Sequence, residues 1–143
     1  MTSNILNWLQ EAGISSPMIL QLLASLFIGI LFTQSGIDKV INWKGEKDFY
    51  TEHFSKSILN GTVPLLMPMI TISELSAGFL SIAGVIGLLF FGNPDLGILG
   101  MLMACLSIIQ LFFGQRVAKD YAGAASLVPY FLVCLVGLAF YLL

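Results

Sequence analysis

A single carboxylate interrupts the second long apolar stretch of the chain. Glu74 follows eight uncharged residues, Leu66–Ser73, and precedes 20 more uncharged residues that end at Asp95. A charged side chain at the centre of a membrane helix costs roughly 2.5–3.5 kcal/mol on insertion scales, so it persists where it is paired, protonated or functional. Glu74 is therefore the first residue to consider as part of a site.

Lys39 is the side chain that we expect to pair with Glu74. It lies at the end of the first apolar stretch, and the connection that follows brings this end close to the start of the second stretch. Helical rise places Gln110 roughly 9 Å inside the charged end of the third stretch. We expect Gln34, Asp38 and Gln110 to share one polar layer with the Lys39–Glu74 pair, and Ser35 and Ser126 to lie close to the same layer.

This polar layer has two interpretations. The functional one is a pocket that binds a quinone headgroup, a proton or a small substrate. The structural one is a set of hydrogen bonds that fixes the register of the helices, at about 0.6 kcal/mol for each contact. The residue types alone leave both open.

The remaining reactive side chains give weaker indications. Cys105 and Cys134 lie in separate apolar stretches without a Cys-x-x-Cys motif. We expect two free buried thiols, since a disulfide needs Cα atoms closer together than typical helix packing allows. His53 is the only histidine, so no metal site is expected. The sequence contains no nucleophile elbow, phosphate loop or dinucleotide-binding motif. No catalytic motif is therefore predicted.

Charged residues divide the chain into four stretches that are each long enough to cross a membrane. Hydrophobic residues make up 57% of the 143 residues and charged residues only 10%, against about a quarter in a typical soluble domain. The uncharged stretches contain 26, 20, 20 and 23 residues, and a spanning helix needs roughly 20. We predict one all-α membrane domain, 1–143, folded as a four-transmembrane-helix bundle. The predicted helices are about Met18–Val40, Val63–Phe91, Leu96–Phe113 and Gly123–Leu143.

Two shorter segments are predicted at the membrane surface. Asn4–Gln10 carries four apolar residues, and Glu46–Leu59 places aromatic residues on one side of a helical wheel and charged residues on the other. That pattern is typical of an interfacial amphipathic helix. We expect Glu46–Leu59 to be such a helix between the first and second transmembrane helices.

The basic residues predict the orientation of the bundle. Four of the six Lys and Arg residues accompany the first connection and two the third, whereas the termini and the Gly92–Asp95 turn have none. The positive-inside rule then places both basic connections in the cytoplasm and both termini outside. The net charge of −2 gives no indication of a nucleic-acid partner.

Two segments of the chain resemble a known family. The first transmembrane stretch closes on Gln34-Ser35-Gly36-Ile37-Asp38-Lys39, and the second contains Ser73-Glu74-Leu75-Ser76-Ala77-Gly78. A Ser-Gly-x-x-Lys sequence followed by Glu-x-x-x-Gly is similar to the DoxX family of small four-helix bacterial membrane proteins. By this resemblance Lys39 and Glu74 occupy recurring polar positions of the family. The resemblance is specific over the first two helices, and the others match as apolar spans.

The resemblance implies a location and a function as expectations. The expected location is the bacterial inner membrane. The expected function is that of a membrane subunit of a redox-associated complex, and this subunit would anchor another protein subunit at the lipid bilayer. Such a subunit would be at most part of an oxidoreductase, with a quinone as the cofactor to consider. The alternative is a non-catalytic assembly or scaffold protein that docks another membrane protein. A small transporter ranks third, since four-helix exporters usually carry their glutamate in the first helix.

Overall fold

The computed structural model describes residues 3–143, and their regular structure is entirely helical. Four segments are long and apolar enough to span a membrane. This confirms the predicted all-α bundle of four long apolar helices. The helices in chain order are α1 (Asn4–Glu11), α2 (Ser16–Ile41), α3 (Trp43–His53), α4 (Val63–Phe91), α5 (Asp95–Val117), α6 (Tyr121–Ser126) and α7 (Val128–Leu142).

The predicted spans agree with the observed ones to within a few residues. Helix α4 has the predicted bounds, whereas α2 is longer by two residues at its start and one at its end. Helix α5 continues to Val117, four residues beyond the predicted end, because Gly114 lies inside the helix and does not terminate it. Glycine is tolerated within a helix at a cost of about 1 kcal/mol, so it is a weak stop signal.

The fourth span differs from the expected continuous helix. It consists of α6 and α7, which Leu127 separates, and Pro129 lies in the first turn of α7. Proline disfavours helical backbone in the residue before it and suits the first turn of a new helix, where no backbone donor is needed. Pro129 therefore starts a helix instead of interrupting one.

The surface helix is also shorter than predicted. Helix α3 ends at His53, and a series of turns replaces the expected helix from residue 54 to residue 59. The hydroxyls of Ser55 and Ser57 donate to the carbonyls of Glu52 and Phe54, at 2.7 and 2.9 Å. Such local bonds compete with helical hydrogen bonding. A helical wheel considers only the side on which each residue lies, so it predicts a helix that continues through these serines.

Helices α2, α4 and α5 form the centre of the bundle, where small residues let the backbones approach. A Cβ atom on Gly84 would lie 2.6 Å from the Cα of Gly97, and one on Gly100 would lie 2.8 Å from the Cα of Ser81. Close backbone approach at small residues is the usual basis of helix association in membranes. Small residues thus lie in the contact between α4 and α5.

Both basic connections lie at one end of the bundle, which we call the basic end. His53, from the connection after α2, hydrogen-bonds to Gln115 at 2.8 Å, and its Nε2 lies 3.7 Å from the Asp120 carboxylate. The α4–α5 turn and Tyr141 meet at the other end, where Tyr141 touches Gly97. The fold therefore places all six Lys and Arg residues toward the basic end.

Reporter fusions test which side of the membrane the basic end faces. We expect reporters inserted near Lys47 and Lys119 to be active in the cytoplasm and a reporter at the C-terminus to be active outside, because of the distribution of Lys and Arg. Paired alkaline phosphatase and fluorescent-protein fusions provide the measurement. A cytoplasmic C-terminus would contradict the orientation.

Candidate functional site

Glu74 and Lys39 form an ion pair inside the basic end of the bundle. The Nζ of Lys39 lies 2.9 Å from Oε2 of Glu74, and the two residues are only 6% and 1% exposed. Helix α2 contributes the lysine two residues before its end, and α4 contributes the glutamate from its fourth turn. The expected pairing of these two residues is therefore present.

Ser35 completes the pair as a third member. Its hydroxyl donates to Oε1 of Glu74 at 3.1 Å and accepts from Nζ of Lys39 at 3.2 Å. Ser35 and Lys39 are four residues apart, so they lie on the same face of α2. Each oxygen of the Glu74 carboxylate thus has a polar neighbour, which a buried charge requires.

Tyr50 of α3 lies beside the ion pair and was not identified from the sequence as part of a site. Burial raises the pKa of the Tyr50 phenol, and the nearby Lys39 ammonium acts in the opposite direction. The phenol is thus a neutral group next to two charges, able to donate a hydrogen bond. Tyr50 also lines the pocket described next.

A pocket of about 180 Å³ opens at the basic end between α3, the turns after it, α4 and α5. Its walls are almost entirely apolar. Gln110 contributes an amide, and its Oε1 is buried without a hydrogen-bond partner. Buried polar atoms are normally paired, so this oxygen requires an explanation. The lining residues are Tyr50, Phe54, Leu59, Val63, Leu66, Met67, Met69, Ile70, Gln110, Leu111, Phe113, Gly114 and Gln115.

His53 links the end of α3 to α5 at the edge of this pocket. It bonds to Gln115 of α5, while the next residue, Phe54, is buried against Val63 and Met67. The ring of Phe54 also lies close to Gly114, because a Cβ there would be 3.3 Å from it. One edge of the pocket therefore depends on a single histidine and on the aromatic residue that follows it.

The structure brings together only part of the predicted polar layer. Lys39 and Glu74 are in contact, and Gln110 lines the neighbouring pocket. Gln34 and Asp38 are exposed on the outer face of α2, and neither lines this pocket. Ser35, one residue from Gln34, makes the contact with Glu74 instead.

No known family, characterised protein or solved structure matches the chain. Within residues 3–143, no group of three His, Cys, Asp or Glu side chains is arranged to hold a metal ion. The site is thus described by its own geometry: an apolar pocket with one unpaired amide oxygen, next to a buried ion pair.

Proposed function

We propose that the protein is a membrane subunit of a redox-associated complex and that its basic-end pocket binds the headgroup of a lipophilic small molecule, with a quinone as the preferred ligand. The observation that carries this proposal is the Gln110 amide in an otherwise apolar pocket: its Nε2 can donate to a quinone carbonyl, and its Oε1, which has no partner, can accept from a quinol hydroxyl. A ligand that is mainly apolar and carries a few polar groups complements such a surface.

The size and position of the pocket favour a headgroup. Sites that enclose a drug-sized molecule measure about 300–1,000 Å³, so about 180 Å³ suits a ring or the end of a chain. The exposed apolar residue Met69 at its edge is on a membrane-spanning helix, where lipid provides a path for an isoprenoid tail. The Gln110 amide and the Tyr50 hydroxyl are the groups available to hydrogen-bond a ring oxygen.

The chemistry of the complex belongs to another subunit in this proposal. The polar side chains that line the pocket are two amides and a phenol, so this chain would bind and position its ligand in the bacterial inner membrane. Two segments resemble the DoxX pattern, Ser35–Lys39 and Glu74–Gly78, and this resemblance supports a redox association. A partner protein would then supply or remove the electrons.

A non-catalytic scaffold is the alternative function, and the ion pair favours it. Lys39, Ser35 and Glu74 contact one another, as expected of a structural contact between α2 and α4. In a scaffold, Gln110 would meet water or lipid and the pocket would not discriminate among ligands. Ligand binding therefore separates the two functions.

Quinone binding can be measured through Trp43, which packs against the Phe54–Val63–Met67 cluster at the pocket. In a Trp8→Phe background, decylubiquinone should quench Trp43 fluorescence in a saturable manner. Gln110→Leu should weaken binding roughly fivefold, since one hydrogen bond is worth about 1 kcal/mol and 1.4 kcal/mol is a factor of ten.

The matched control is Gln34→Leu, which makes the same chemical change on an exposed face of α2. It should leave the quenching curve unchanged. Linear quenching without saturation, or equal curves for the two leucine variants, would contradict the proposal and favour the scaffold.

A further inference from the structure

The two cysteines meet in the middle of the bundle. Cys134 of α7 is fully buried in the core, and Cys105 of α5 is half-buried and packs against the same core cluster. The antiparallel contacts of Gly97 with Tyr141 and of Gly137 with Met101 set the register of α5 against α7, and the same register places Cys105 and Cys134 at the same level. Both are free, so the structure holds a reduced dithiol between two membrane helices.

The packing of α5 against α7 is close enough for these residues to be linked. A Cβ atom on Gly137 would lie 3.0 Å from the sulfur of Met101, and these residues are within one turn of Cys134 and Cys105. With axes about 8–10 Å apart and Cα atoms about 2.3 Å from each axis, facing Cα atoms come within roughly 3.4–5.4 Å. That range overlaps the disulfide range of about 4.4–6.8 Å. Both thiols are free, as the sequence predicts, but the spacing of the helices does not prevent a disulfide.

The position of the pair determines which oxidants can reach it. Cys105 lies roughly 15 Å along α5 from Asp95 and roughly 18 Å from Val117, near the centre of a hydrocarbon layer about 30 Å thick. Water-soluble thiols and oxidants are therefore excluded. Cys105 is only half-buried, so a lipid-soluble molecule can approach it from the side of the bundle.

An apolar groove of about 220 Å³ begins one turn from the pair, along the same contact between α5 and the α6–α7 span. Ile108 and Ile109 follow Cys105 by three and four residues, and Phe131 precedes Cys134 by three. The groove offers a hydrophobic ring a place next to the thiols. Its lining residues are Ile108, Ile109, Phe112, Leu127, Val128 and Phe131.

We propose that Cys105 and Cys134 are a redox-active pair that forms a disulfide between α5 and α7 with a membrane quinone as electron acceptor. Both S–H bonds break and one S–S bond forms. The two electrons and two protons released reduce the quinone to its quinol, so the reaction balances without another reactant. The site is separate from the basic-end pocket, and the proposal does not depend on the function proposed for that pocket.

The test uses the full chain in lipid nanodiscs. Reduced protein is exposed to decylubiquinone, remaining thiols are blocked with N-ethylmaleimide, and trypsin cleaves after Arg116 or Lys119 between the cysteines. We expect the two fragments to stay joined until a reductant is added, with one quinol formed for each disulfide. Oxidised glutathione, which stays in water, should leave both thiols free to react with maleimide.

A relocated thiol is the matched control. Cys105→Ala combined with Leu106→Cys moves the thiol to an exposed face of α5, where it cannot reach Cys134 within the same chain. This variant should give no joined fragments. Two free thiols in the wild-type protein after exposure to quinone, or equal joining in the relocated variant, would overturn the proposal. Gln110→Leu should form the disulfide normally, so failure at the basic-end pocket is distinguishable from failure here.

Discussion

Lys39→Met is expected to destabilise the protein more than Glu74→Gln does. Removing one member of a fully buried ion pair costs roughly 3–5 kcal/mol because the remaining charge is unpaired. In Lys39→Met that charge is the Glu74 carboxylate, which is 1% exposed and cannot reach water, so it must take up a proton or remain with Ser35 as its only donor. The loss should approach the upper part of this range.

Glu74→Gln leaves a milder defect. The new amide can still accept a hydrogen bond from Ser35, and Lys39 lies two residues from the end of α2, so its ammonium can extend toward the headgroups. Combining the two changes removes both charges. The double variant should therefore be more stable than Lys39→Met alone, which is the signature of a direct interaction.

Thermal unfolding in one detergent, for the wild type and these three variants, provides the measurement. Lys44→Met, at an exposed position three residues into the connection, is the control and should shift the midpoint little. Losses that simply add in the double variant would mean that the two side chains do not interact in solution. A stable double variant that no longer joins the proposed complex would give the pair a role beyond folding.

Depth in the membrane could be predicted from this sequence, because charges mark where each span ends. The uncharged stretch after Glu74 predicted a helix whose bounds match those of α4. The similar depth of Lys39 and Glu74 predicted that the two side chains pair. A helix with apolar residues on every side gives no comparable indication of how it is rotated about its own axis, and so of which side chains face the neighbouring helix. Gln34 and Ser35 differ by one residue, or 100° about the axis, and only Ser35 faces α4.

The basic-end pocket could not be predicted from the sequence, because the sequence pattern does not reveal the turns that form one of its walls. Its walls include Tyr50 and Phe54, and their position depends on how the chain turns back after His53. Serine hydroxyls bonded to nearby carbonyls set those turns, and a helical wheel treats the same serines as polar positions on a continuing helix. Gln110 was selected for its depth alone, without indication that its oxygen would lack a partner.

Gly78→Ala is expected to have the other large effect, because α2 and α4 touch through backbone at this point. A Cβ on Gly78 would meet the hydroxyl and backbone nitrogen of Thr33 and lie 2.8 Å from its Cα. Backbone cannot move aside as a side-chain tip can, so the helices must separate. Overpacking typically costs 1–3 kcal/mol, and here the shift would also strain the Lys39–Glu74 pair one turn away.

Gly87→Ala is the matched control on the same helix. Gly87 is also buried, but the nearest atom to its added Cβ, the Asn93 carbonyl oxygen, would be 3.4 Å away, in ordinary contact. Alanine is favoured over glycine inside a helix by about 0.5–1 kcal/mol, so this variant should be neutral or slightly more stable. The gain in helix propensity is common to both variants, so thermal unfolding in detergent should separate these two identical substitutions by the overpacking cost of roughly 1–3 kcal/mol. Equal midpoints would mean that α2 and α4 are not in backbone contact, and the geometry that joins Lys39 to Glu74 would have to be abandoned with it.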